Sequence, residues 1–295
     1  SYYFAYICMG IGFMIKGPPA IIIPVLVTGC YILISQNWEE VPQLRLGYGV
    51  AILTAIILPW FATMLNIHGD EFKNHILGAE LRDRVIHDTP FSLYYFGVII
   101  RYYLPWSFFF MAALAIKLGL NSTSPITATL NKNYFSSLPG KLTTWHIKMT
   151  QKNNQAFLFS ILWIICPLTL FTLFRIEHSR YMLPVSIPIV MITAQFLSQL
   201  LDSPRAFQNR AFKIPYYLTL IFYLLVITLT ALGIFLLLPH FPVPTGLTIL
   251  FILEIFGLVT LFVFHKLKKY FPMIIALSIT QIIILTALSS NVLSY

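Results

Sequence analysis

Long apolar runs separated by short polar breaks fill the chain, at about 2–15, 20–35, 46–66, 91–116, 156–174, 181–201, 215–238, 247–264 and 271–290. Runs near 20 residues suit helices that cross a bilayer. A transmembrane barrel would instead show period-two alternation in segments of about ten residues. The pattern predicts an all-α, polytopic membrane helix bundle, with about nine transmembrane helices in a single domain over residues 1–295. The first run, Tyr2–Ile15, is short for a crossing and follows neither a methionine nor a signal-peptide pattern, so the N-terminus reads as cut.

One stretch departs from the apolar pattern. Between Pro59-Trp60 and Pro105-Trp106 lies Ile67–Pro90, which holds five of the ten carboxylates: Asp70, Glu71, Glu80, Asp83 and Asp88. Read as a helix, residues 71–86 place Leu77, Leu81 and Val85 on one face, while Glu80, Arg84 and His87 follow at i, i+4 and i+7 on another. The simplest reading is an amphipathic interfacial helix joining two spans. The same face also offers an acid, a guanidinium and an imidazole.

Composition fixes the class. With 58% hydrophobic and 10% charged residues and a mean hydropathy of +0.80, the chain lies outside the soluble range, where about a quarter of residues are charged. The net charge of +9 is scattered over the ends of apolar runs and forms no stripe, which argues against a nucleic-acid partner and for membrane topology. Cys8, Cys30 and Cys166 sit inside apolar runs without paired spacing, so they read as small core hydrophobes, with neither a disulfide framework nor a metal knuckle.

Loop charge orients the bundle. If the runs alternate, one side receives Arg45, Lys117, Lys132, Lys141, Lys148, Lys152, Arg205, Arg210, Lys213, Lys266, Lys268 and Lys269. The other receives Lys16, Lys73, Arg82, Arg84, Arg175 and Arg180, with Arg101 left inside a run. The richer side is cytoplasmic by the positive-inside rule, in a multi-pass protein of the inner (plasma) membrane. The acidic segment 67–90, Lys16 and the Arg175–Arg180 turn then share the extracytoplasmic side. The basic, polar segment 117–155 stays cytoplasmic, with short interfacial helices expected near Trp145 and contact with anionic membrane lipids.

Three stretches in order carry a resemblance: Gly10-Ile-Gly-Phe-Met-Ile-Lys-Gly-Pro-Pro-Ala20; then Pro59-Trp60, Glu80, Arg84, His87, Pro90, Tyr94-Tyr95 and Pro105-Trp106; then Arg180-Tyr-Met-Leu-Pro184 with Pro188. Together they resemble the bacterial polyprenyl-phosphate-sugar-dependent membrane glycosyltransferases, the C-type superfamily of the lipid A aminoarabinose transferase and the protein O-mannosyltransferases. The resemblance covers roughly residues 5–200; the later runs match only in being apolar. It implies transfer of a sugar from a polyprenyl-phosphate donor to a lipid, glycan or protein acceptor on the extracytoplasmic face.

A leaving phosphate in a low-dielectric cleft needs preorganised positive charge. Lys16, at a helix break before Gly-Pro-Pro, Arg84, and Arg180, expected beside Tyr181 at a helix start with Pro184 in the first turn, are the candidates. Plain snorkelling or flanking anchors are the simpler reading of Lys16 and Arg180. Glu80 would orient Arg84 or hold an acceptor sugar, Tyr94 completes the substrate-binding set, and His87 is a candidate ligand for a divalent metal ion, with no cofactor otherwise implied. Arg101 and Glu254 are charges inside predicted spans and so functional suspects; the tyrosines around Arg101 give it a route to the outer interface.

One departure qualifies the resemblance. The family carries an acidic motif, with the expected catalytic base, in a loop before the Lys-Gly-Pro stretch, whereas no Asp or Glu precedes Glu39 here. The catalytic residue is therefore unassigned, and the chain reads as the C-terminal part of such an enzyme. A transporter or flippase for a lipid-linked substrate would show two repeated halves, and no such repeat is seen. A non-catalytic membrane subunit that keeps lipid binding is the other alternative.

Overall fold

Prolines and glycines set many of the helix ends. The computed structural model describes residues 2–73, 94–118, 154–174, 179–202, 207, 210–237 and 245–292. Among these every regular element is helical. Helix α1, Tyr2–Lys16, stops at Gly17, whose φ of 81° is left-handed. Pro18 caps α2, Pro19–Ser35, and a proline at the first helical position gives up no hydrogen bond. Two short 3₁₀ turns, Trp38–Glu40 and Pro42–Leu44, lead into α3, Leu46–Lys73. Then come α4, Tyr94–Tyr102, α5, Trp106–Lys117, and α6, Gln155–Leu173. A 3₁₀ segment, Ser179–Val185, opens α7, Ser186–Leu201. The chain ends in α8, Arg210–Leu237, α9, Thr245–Lys266, and α10, Tyr270–Val292.

Each predicted run coincides with a helix, with two corrections. The run 91–116 is a pair, α4 and α5, because Pro105 has no N–H to donate and disfavours helical backbone at Leu104. The helix expected to start at Arg180-Tyr181 is a 3₁₀ segment with Pro184 inside it, and α-helical backbone begins only at Ser186. Among the described residues five helices are long and apolar enough to cross a membrane, or six if α4 and α5 make one broken span. Helices α1, α2 and the Tyr270–Ile284 part of α10 are apolar but shorter.

The chain divides into two compact units, Ser1–Tyr102 with Asn133–Ile192, and Tyr103–Lys132 with Thr193–Tyr295. In the first, α1 packs on α2 and α3, α2 on α6, and the 3₁₀ segment on α4 and α6. Its buried side chains include Val27, Tyr95, Leu158, Phe171, Met182 and Val185. In the second, α8 packs on α5 and α9, and α9 on α10, around Phe212, Tyr216, Leu261, Met273 and Leu277. Much of the remaining apolar surface is bare: among the described residues of α3 no side chain is buried, and Gly49 is the one buried position. Such exposure would be a liability in water; in a bilayer it is the face that lipid covers.

Close approach of α1 and α3 depends on two glycines. A Cβ at Gly10 would lie 2.8 Å from Ile56 Cδ1, and one at Gly49 would overlap the Tyr6 ring. Tyr6 fills that space and donates its hydroxyl to the Leu44 carbonyl at 2.8 Å. Arg45 donates to the Tyr3 hydroxyl and stacks on its ring with 5.4 Å to the centroid. Small residues that let helix backbones approach are the usual means of packing helices in lipid, where apolar surface alone gives no preference for protein over solvent.

Candidate functional site

The site begins at the C-terminal end of α1. Lys16 is its last residue and is exposed. One turn earlier, Phe13 meets Phe61 of α3 at 6.2 Å between ring centroids. Phe61 packs against Trp60 at 5.0 Å, and Phe72 closes on both, at 5.7 Å from Trp60 and 6.0 Å from Phe61. In a straight helix, residues 60 and 72 would stand about 18 Å apart. The chain therefore turns back, and it does so at Gly69, whose φ of 50° and ψ of −124° are open essentially to glycine. This turn returns the first residues of the acidic segment, Asp70 to Lys73, toward the Pro59-Trp60 pair.

The 3₁₀ segment supplies the other side. Lys16 Nζ lies 4.8 Å from the centroid of the Tyr181 ring, a cation–π contact. Tyr181 packs on Phe171 of α6 at 4.8 Å, Phe171 on Tyr95 of α4 at 6.1 Å, and Tyr95 on Tyr94 at 5.2 Å. Phe171 and Tyr95 are each 2% exposed, so they form the fixed floor, while Lys16, Tyr181 and Tyr94 keep surface accessible. All of these residues belong to the first unit.

Of the predicted site residues, Lys16, Tyr181 and Tyr94 are thus joined through one file of rings. Arg180 is the residue before Tyr181 in the 3₁₀ segment, and its side chain lies outside what the structure describes. Glu80, Arg84 and His87, with most of the helix expected over 71–86, lie outside the described residues. Among the described residues no group of three or more His, Cys, Asp or Glu side chains could hold a metal ion. Arg101 is exposed in the last turn of α4 and lies over the Tyr102 ring at 5.1 Å. Its position inside a predicted span follows from the break at Pro105. Phe171 was not marked by the sequence, because one phenylalanine in an apolar run carries no signal of its neighbours.

A cation–π contact removes none of the ammonium's charge. The Tyr181 ring gives the Lys16 ammonium a fixed direction.

A search of protein-family models finds no match. Curated relatives do match: an undecaprenyl phosphate-α-4-amino-4-deoxy-L-arabinose arabinosyl transferase of Pseudomonas aeruginosa is 27% identical over 197 residues, 64% of this chain and 29% of that protein. The Aeromonas hydrophila protein of the same name is 27% identical over 230 residues, 75% of this chain and 35% of its own length. Over about two thirds to three quarters of its length the chain is similar to the aminoarabinose arabinosyl transferases. The fold agrees: the crystal structure of ArnT from Cupriavidus metallidurans bound to undecaprenyl phosphate superposes with a TM-score of 0.66 over 97% of this chain and 47% of that one, at 20% identity. Its apo structure gives 0.62. The chain spans about a third of the length of the curated relatives it matches.

Proposed function

We propose that this chain belongs to a membrane glycosyltransferase that takes a sugar from a polyprenyl-phosphate donor, and that its first unit holds the donor phosphate. Lipid A is the acceptor class that the resemblance to the lipid A aminoarabinose transferase implies; a glycan or a protein is the broader alternative. The observation that carries the reading is the contact of Lys16 with Tyr181, which joins two motif stretches 165 residues apart in the chain. The relatives' names and the ligand of the solved neighbour point to undecaprenyl phosphate. As the glycosidic bond breaks, negative charge grows on the phosphate oxygens, and a fixed cation stabilises it more than it stabilises the bound substrate. Lys16 serves in that role, with Arg180 and Arg84 as further cations, Glu80, Tyr94 and His87 as sugar-side contacts, and a divalent metal ion as an option at His87. The general base that takes the acceptor hydroxyl's proton is not assigned to any residue of this chain.

Binding tests the reading directly. The chain, purified in a neutral detergent, should retain a short-chain polyprenyl phosphate in preference to the corresponding polyprenol, and Lys16→Met should abolish most of that preference. Equal retention of phosphate and alcohol, or a preference that survives Lys16→Met, would refute the assignment of the phosphate to this end of the unit.

A further inference from the structure

We propose that the tip of the second unit where α8 begins and α9 turns into α10, cytoplasmic by its loop charge, is a binding site for the headgroup of an anionic phospholipid. Five exposed cations gather on two short pieces of chain: Arg210 and Lys213 at the start of α8, and Lys266, Lys268 and Lys269 at the turn between α9 and α10. The two pieces are held together by rings. His265 stacks on Tyr216 at 4.2 Å between centroids and 23° between planes, and faces Phe212 at 6.3 Å. Tyr270, the first residue of α10, stacks on Phe207 at 3.7 Å and 3° and meets Phe212 at 5.9 Å. Lys213 is close enough to His265 to act on it electrostatically.

Like charges brought together this way repel one another, and five cations face only two described carboxylates in the unit. Asp202 follows the end of α7, and Glu254 lies eleven residues before His265 on α9, about 16 Å along the axis. The turn itself holds one of these cations in a left-handed conformation. Lys268 has a φ of 56° and sits just past the end of α9, where Lys269 N–H donates to Phe264 O at 2.9 Å and Lys268 N–H to His265 O at 3.0 Å. That left-handed position is one that glycine normally takes, and a lysine holds it here under strain. His265 Nδ1, moreover, is buried with no hydrogen-bond partner among the described residues, the kind of polar atom that calls for a ligand or a water. Basic pockets between helix ends on the cytoplasmic side match anionic headgroups in charge and depth.

The test uses the purified chain in maltoside detergent, with phosphatidylglycerol and phosphatidylcholine titrated separately and retained lipid counted by native mass spectrometry. Phosphatidylglycerol should be retained preferentially, with each neutralised lysine among Lys266→Gln and Lys269→Gln lowering the preference about five-fold. Lys268→Gly is the decisive variant: it should leave the thermal midpoint unchanged or raised, since strain is relieved, while it weakens phosphatidylglycerol retention. Lys268→Arg should keep it. Equal retention of the two lipids, or an undiminished preference in Lys268→Gly and in the Lys266→Gln/Lys269→Gln double variant, would overturn the proposal.

Discussion

Thr230 of α8 and Glu254 of α9 meet in the second unit, hydroxyl to carboxyl at 3.1 Å, and Glu254 is 2% exposed. The Thr230 hydroxyl is also 2.9 Å from the carbonyl of Val226, one turn back on its own helix. One proton therefore serves two acceptors, and the buried carboxyl depends on a shared bond. Thr230→Val keeps the shape and removes the bond, so it should cost about 1–3 kcal/mol, the penalty of an unsatisfied buried polar group. Replacing both residues, as Thr230→Val with Glu254→Leu, should cost less than the two single changes added together. Thermal unfolding of the four proteins of this cycle in detergent measures the coupling, expected at about 0.6–1.7 kcal/mol. Strict additivity would mean that the contact does not hold the two helices.

The α1–α3 interface gives a second expectation. A methyl group at Gly49 overlaps the Tyr6 ring, so Gly49→Ala should force the ring away and break its bond to Leu44 O, costing about 1–3 kcal/mol as an overpacked contact does. Gly47, where an added Cβ meets nothing within 4 Å, is the control: Gly47→Ala should leave the unfolding midpoint unchanged or raise it slightly, as alanine favours helix.

The turn at Gly69 is tested by limited proteolysis together with stability. Gly69→Ala must either adopt a backbone conformation costing about 1–3 kcal/mol or give up the return of Phe72 onto Trp60. Phe72→Ala removes the same contact without touching the backbone. Both variants should increase cleavage near Lys73, and the double variant should be little worse than Gly69→Ala alone, because the two changes act on one contact.

The apolar pattern made the helices legible, since runs long enough to cross a bilayer have few other stable forms in lipid. It did not reveal the break at Pro105, because hydropathy runs unbroken from α4 into α5 and only proline's missing donor interrupts it. The carbonyl of Leu104 at that break accepts a bond from Gln281 Nε2 at 3.0 Å, a partner 177 residues away that no local pattern could indicate. The packing of the candidate site was legible in part. Lys16 before Gly-Pro-Pro and Tyr181 before Pro184 marked themselves by their neighbours in the chain. Phe171, which supports Tyr181, and Phe72, which reaches back to Trp60, owe their roles to packing. Glu254 stood out along the chain as a charge in an apolar run, and its partner Thr230 became visible only when α8 and α9 were placed side by side.

The Lys16–Tyr181 pair separates the part played by charge from the part played by the ring. If the protein is the glycosyltransferase proposed above and the ammonium stabilises the leaving phosphate, Lys16→Met should lower turnover by about 10²–10³, as loss of one preorganised donor does. The fold should change little, because an exposed cation–π contact is worth only about 0.5–1 kcal/mol. Tyr181→Phe keeps the π face over which Lys16 Nζ sits and keeps the packing on Phe171, so it should retain most of the activity. Tyr181→Leu removes the face, lets the lysine wander, and should lower kcat more than it raises KM for the donor, since a misdirected cation still attracts the phosphate electrostatically but meets it poorly in the transition state. Steady-state assays of these three variants with a polyprenyl-phosphate sugar decide the matter. Full activity in both Lys16→Met and Tyr181→Leu would leave the pair as an anchor at the membrane surface, and a loss in Tyr181→Phe equal to that in Tyr181→Leu would move the role from the ring to the hydroxyl.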